Sequence, residues 1–157
     1  MIYEFCFERW VSCVIIHIGD NMKKLTEKYR NNLVYDYSCS ETILKAANEK
    51  YQLNLSEDTF KMMAPFSGGM LEGDACGILT ASISVLGIIF IKDNAHNSPL
   101  MKEAVLEYKT KFKEIYKSID CRNLVEKYRN PETGCTNFIV EASTLLEEVV
   151  TKYQNNK

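Results

Sequence analysis

The sequence predicts an all-α protein, an up-and-down bundle of about five to seven helices around one central apolar helix at about residues 75–90. Three observations lead there. Apolar residues recur at helical spacing in several separate stretches. Cap-type residues stand just ahead of them, at Ser38, Ser56, Asp74 and Ser118. The run over residues 75–91 is the most apolar in the chain. It is a little short for a membrane span of about 20 residues, so it reads as a buried core helix and no stable membrane insertion is expected.

The bulk composition agrees with one domain. Of 157 residues, 46% are hydrophobic and 25% charged, enough for a sizeable core, with room left for a homodimer interface. With 3 Pro and 7 Gly, long disordered linkers are not expected. The net charge is −2 and no basic stripe carries interleaved aromatics, so no nucleic-acid partner is expected. No paired carboxylates, Ser/His/Asp set or phosphate-binding loop stands out, which removes the usual apparatus of hydrolysis and phosphoryl transfer.

Residues 1–21 look foreign to the rest. They have aromatics and a short apolar patch but no helical pattern, and Glu4 and Glu8 give the wrong charge for a secretory signal. Ile18-Gly19-Asp20-Asn21-Met22 can be encoded as AUA-GGA-GAU-AAU-AUG, which places a ribosome-binding sequence just before a bacterial-style start at Met22. The expectation is a mis-called leader at 1–21, with Trp10, Cys6, Cys13 and His17 carrying no function, and a single helical four-cysteine domain at 22–157. The native gene product is expected to be cytoplasmic.

The elements follow in order. A helix is expected over residues 24–34. Ser38 and Glu41 make a capping box that starts a helix at Cys39, running to about Tyr51. Ser56 caps a short helix from Glu57 to about Met63, ended near Pro65. Gly68, Gly69 and Gly73 then read as a bent loop that brings the backbone close to something. Asp74 is the expected cap of the central helix, which puts Cys76 and Gly77 in its first turn. Pro99 suits the first turn of a long helix to about Ser118. Ser118 is the expected cap of a short helix containing Cys121. The turn at residues 130–134 precedes a last helix opened by Cys135.

Four of the six cysteines thus fall at helix starts: Cys39, Cys76, Cys121 and Cys135. Alternating helices permit all four starts to share one end of the bundle. Free N–H groups and the helix dipole favour a thiolate there, so one or two reactive, low-pKa sulfurs are expected of a metal-free site. Glu72 and Asp74 flank Cys76 and read as solvated or capping. His96 reads as a polar loop residue, Met62, Met63 and Met70 as packing, and Tyr35, Tyr37 and Tyr51 as core more than site lining.

Cys39 in Ser-Cys-Ser-Glu, the Gly-Gly-Met loop, Cys76-Gly77 opening an apolar helix, and then Cys121 and Cys135 resemble the redox-active family named for its C, GCAxxG, C, C pattern. The resemblance runs from about residue 22 to the end. Ile78 and Ala81 stand where the family carries Ala and Gly after the Cys-Gly pair. The family is similar to the cluster-bearing part of split-Soret cytochromes. The resemblance therefore implies an iron–sulfur cluster on Cys39, Cys76, Cys121 and Cys135, approached by Gly68, Gly69, Gly73 and Gly77. No C-x-x-C-H occurs for covalent haem, and no C-x-x-C for a zinc ribbon or thioredoxin motif.

Three functions stay open at this level. One is electron transfer or sensing by a Cys-ligated cluster, with an unidentified redox partner. A second is a thiol–disulfide oxidoreductase whose cysteines cycle. The third is a non-redox interaction or metal-handling protein that binds zinc or copper.

Overall fold

The computed structural model describes residues 20–155; the leader expectation and Cys6, Trp10, Cys13 and His17 lie outside them, apart from residues 20 and 21. Among the described residues the protein is all-α, with seven helices: α1 Met22–Tyr29, α2 Cys39–Tyr51, α3 Glu57–Met63, α4 Gly77–Phe90, α5 Pro99–Tyr116, α6 Cys121–Tyr128 and α7 Thr136–Gln154. The anticipated bundle is the one found. No strand forms among these residues, only isolated antiparallel bridges at Ala75–Asp120 and Asn130–Gly134.

Local chemistry sets most boundaries. The Ser38 hydroxyl accepts from the Glu41 amide while the Glu41 carboxylate accepts from the Ser38 amide, the reciprocal capping box that starts α2. Ser56 accepts from the Thr59 amide and starts α3. Pro65 converts the end of α3 into a 3-10 turn over Ala64–Phe66. Gln52 and Lys117 end α2 and α5 in the left-handed conformation.

Three boundaries differ from the sequence reading. α1 covers Met22–Tyr29 instead of 24–34, because the Asn21 side chain caps it early and the chain turns at Asn31, whose carbonyl accepts from Val34 N–H at 2.9 Å. Asp74 does not cap α4; its carbonyl instead accepts from Cys121 N–H, and Cys76 occupies the cap position without a side-chain bond. Ser118 does not cap α6; Asp120 takes that position, and the Ser118 hydroxyl accepts from the Asp120 amide.

α4 is the centre, packed against α2, α5 and α7. Ile78, Ala81, Val85 and Leu86 along it are buried, each large aliphatic contributing about 1.5–3 kcal/mol by leaving water. Ala81 has its methyl group fully enclosed. The one buried hydroxyl pair at this interface is satisfied: Tyr108 Oη donates to Ser82 Oγ at 2.9 Å and fixes α5 on α4. α1 closes the other side against α2 and α7, with Met22 N–H donating to Glu147 Oε2 at 2.9 Å. No helix of the described residues is long and apolar enough to cross a membrane.

Candidate four-cysteine site

The starts of α2, α4, α6 and α7 meet at one end of the bundle. Cys39, Cys76, Cys121 and Cys135 line one pocket there, walled by Ile78, Leu124, Val125 and Phe138. All four are free thiols. Cys76 and Cys121 are buried and Cys39 and Cys135 half-exposed, so the pocket has a closed floor and an open edge. Its void is about 20 Å³, room for about one water-sized sphere. Cys39 is the common neighbour, since its sulfur bears electrostatically on each of the other three.

The glycine loop is tied to the two buried cysteines and does not itself line the pocket. Gly68, Gly69 and Gly73 all have positive φ, and so do Met70 and Leu71 between them. This left-handed run is closed by Asp74 N–H donating to Gly69 O at 3.0 Å. Two non-glycine residues in that region cost of order 1–3 kcal/mol each, so the surrounding structure must hold them. It does so through α6. Cys121 N–H donates to Asp74 O at 2.6 Å, Cys76 N–H to Ile119 O at 2.8 Å, and Arg122 Nη2 to Glu72 O at 2.9 Å. The sequence marked the loop's glycines; the two left-handed non-glycine residues carry no such mark.

Each glycine has a different neighbour. A Cβ on Gly69 would lie 2.6 Å from Asp74 N and O and from Cys121 Cβ. Gly73 lies under the Arg122 side chain, and Gly68 faces open space. Gly77, already helical, would put a Cβ 2.6 Å from Cys39 Sγ and 2.8 Å from Phe66 O. Gly77→Ala is therefore expected to destabilise. The sulfur can swing aside but the carbonyl cannot, and overpacking of about 1–3 kcal/mol exceeds the helix-propensity gain of at most about 1 kcal/mol. Urea unfolding and the alkylation rate of Cys39 check this; a variant as stable as the parent with Cys39 unchanged would contradict it.

The electrostatics run against the low-pKa expectation at three of the four thiols. Burial pushes the Cys76 thiol up to about 12, although the N–H groups of Ile78 and Leu79 in the first turn of α4 pull the other way. Burial and the neighbouring thiols also raise Cys121 and Cys135, opposed by Arg129 at both and by Arg30 at Cys135. At Cys76 the first-turn N–H groups act but desolvation exceeds them, and burial likewise leads at Cys121 and Cys135, so none of these three is a low-pKa thiol. A folded-state value above the unfolded one stabilises below the unfolded value and is lost as pH rises through the folded one. Metal-free protein should accordingly lose stability as pH climbs from about 9 towards about 12, and Cys76→Ser should flatten that slope in urea unfolding at stepped pH. An unchanged slope would remove Cys76 as its source.

The remaining sequence candidates lie apart. His96 is exposed in the α4–α5 loop. Met63 is buried and receives a hydrogen bond from Ser84, while Met62 and Met70 face solvent. Tyr35 and Tyr37 stack with ring centroids 5.5 Å apart, beside Tyr29 and outside the pocket wall. Sequence reasoning missed Arg30, Arg129 and the apolar wall. Their partners are remote in sequence, so no local signal marks them.

A family described as "Putative redox-active protein (C_GCAxxG_C_C)" matches residues 37–149, a span that holds all four pocket cysteines. No curated protein and no solved structure matches the chain. The matched span is more than half of the 157 residues, and the chain belongs to the C_GCAxxG_C_C redox-active family.

Proposed function

We propose that the four thiols hold an iron–sulfur cluster used in electron transfer or sensing. The observation that carries this reading is the shared pocket: four free cysteines from four separate helix starts inside an apolar wall. Four thiolates are the donor set of the common clusters, and apolar surroundings with nearby cations tune their potential. When bound, a cluster supplies reversible one-electron chemistry. The chain's own part is to exclude water with Ile78, Leu124, Val125 and Phe138 and to set Arg30 and Arg129 against the added negative charge. A cluster exceeds the present void of about 20 Å³, so loading requires the four sulfurs to move apart.

Among the described residues no three His, Cys, Asp or Glu side chains are gathered closely enough to hold a single ion as they stand. A zinc or copper ion and a cluster alike would therefore have to draw the four thiols into place, and metal analysis of the loaded protein separates them. The raised values at Cys76, Cys121 and Cys135 weigh against a resting nucleophilic thiolate at those three positions.

Anaerobic reconstitution with iron and sulfide tests the reading. The expected product is coloured, contains iron and sulfide in equal amounts, and melts higher than the metal-free protein, because the ligand binds only the folded state. Serine at Cys39, Cys76, Cys121 or Cys135 should lower iron content and melting temperature together. Because metal must displace protons from thiols with raised values, loading should strengthen as pH rises. A colourless, iron-free product would sink the proposal.

A further inference from the structure

Two different devices hold the four thiols. Cys76 and Cys121 are joined through backbone, by the Ala75–Asp120 bridge and its flanking hydrogen bonds. No backbone hydrogen bond joins the segments bearing Cys39 and Cys135 among the described residues. One side chain spans that gap. Arg30, at the C-terminal cap of α1, donates from Nη1 to Tyr37 O at 2.6 Å, two residues before Cys39. From Nε and Nη2 it donates to Thr136 Oγ1 at 3.3 and 3.0 Å, the residue after Cys135. The Thr136 hydroxyl spends its own proton on Thr133 O at 2.7 Å, which leaves its lone pairs for the guanidinium and fixes the oxygen in place. Arg30 is half-buried and forms no ion pair with a carboxylate among the described residues. A planar fork committed to two neutral acceptors on two cysteine-bearing segments acts as a strut, and the compact ammonium of lysine cannot span both.

We propose that Arg30 is a positioning residue that sets Cys39 and Cys135 as a dithiol pair at the open edge of the pocket, separately from the backbone-locked pair Cys76 and Cys121. The proposal rests on reading the pocket as one shared thiol site, and it makes that site two independently held halves.

Phenylarsine oxide tests it without any electron transfer. Its arsenic forms two As–S bonds with two close thiols; the two thiol protons leave with the oxide oxygen as water. The full chain with Cys6, Cys13, Cys76 and Cys121 changed to Ser keeps only the edge pair. A companion chain with Cys6, Cys13, Cys39 and Cys135 changed to Ser keeps only the floor pair. Arg30→Gln and Arg30→Lys should each weaken arsenical binding to the edge pair by about tenfold or more, the scale of lost supporting contacts at ligand sites. Thr136→Val, which leaves Arg30 in place, should weaken the same pair. The floor pair should stay within about twofold of its parent in all three. Four results would overturn the proposal: an edge pair that does not bind the arsenical in its parent, unchanged binding in Arg30→Gln, full rescue by lysine, or equal weakening of both pairs. The last would mean that Arg30 only supports the fold. None of these chains can carry a four-cysteine cluster, so a failure of iron loading in the wild type and a failure here are read separately.

Discussion

Gly69→Val should cost about 3 kcal/mol or more and displace Cys121 from the pocket. Two penalties combine at this position. The φ of +65° is hostile to a β-branched side chain, at of order 1–3 kcal/mol. The new Cβ would also sit 2.6 Å from Asp74 backbone atoms and from Cys121 Cβ, an overlap that only backbone movement relieves. The movement would break the hydrogen bond from Cys121 N–H to Asp74 O. Gly68→Ala is the matched control, with nearly the same φ but nothing within 4 Å, so it should cost only about 1–2 kcal/mol. Gly87→Ala, mid-helix with only Ile91 Cδ1 nearby at 3.9 Å, should be mild or stabilising by up to about 1 kcal/mol. Urea unfolding of the three variants, with alkylation of Cys121 as the local readout, decides the matter. Equal tolerance at positions 69 and 68 would show that the close approach is not a constraint.

Phe138→Ala should cost about 3–5 kcal/mol and open the thiols to water. Phe138 is 6% exposed and belongs to both the core and the pocket wall. Its ring stacks on Tyr128 with centroids 4.8 Å apart and meets Tyr116 edge-on at 4.9 Å. Phe112 stands behind it at 6.3 Å. Truncation leaves a cavity beside the sulfurs that neighbouring rings cannot fill without losing these contacts. The thermal midpoint should fall, and alkylation of Cys76, slow in the parent because the thiol is buried, should accelerate. A stability loss with no change at Cys76 would show that the ring supports the core without sealing the site.

What could be read in the sequence was local. The Ser38–Glu41 box, Ser56, Pro65 and Pro99 act through neighbours within a few residues, and the helices they delimit lie where the residues indicate. The apolar run at residues 75–91 announced the central helix by composition alone. Asp74 misled because its cap-type side chain is local while the bond that decides its conformation runs to Cys121. Arg30 was invisible for the same reason, since it acts on Tyr37 and on a hydroxyl 106 positions away. The dipole argument at Cys76 also failed on a non-local quantity. How far α2 and α6 desolvate that thiol is fixed by packing, which cap residues do not encode.

The packing of α1 along α7 has a consequence for biosynthesis. Chains leave the ribosome from the N-terminus onward, at about 5–20 residues per second. Cys39, Cys76 and Cys121 are translated before Cys135, Phe138 and the surface that receives α1. A nascent chain that lacks this later segment has an incomplete pocket, and Arg30 has no Thr136 hydroxyl to grip. The four-thiol pocket is complete only once the last helix has been made and has met the first, and a chain stopped before α7 lacks both Phe138 and the grip on Arg30.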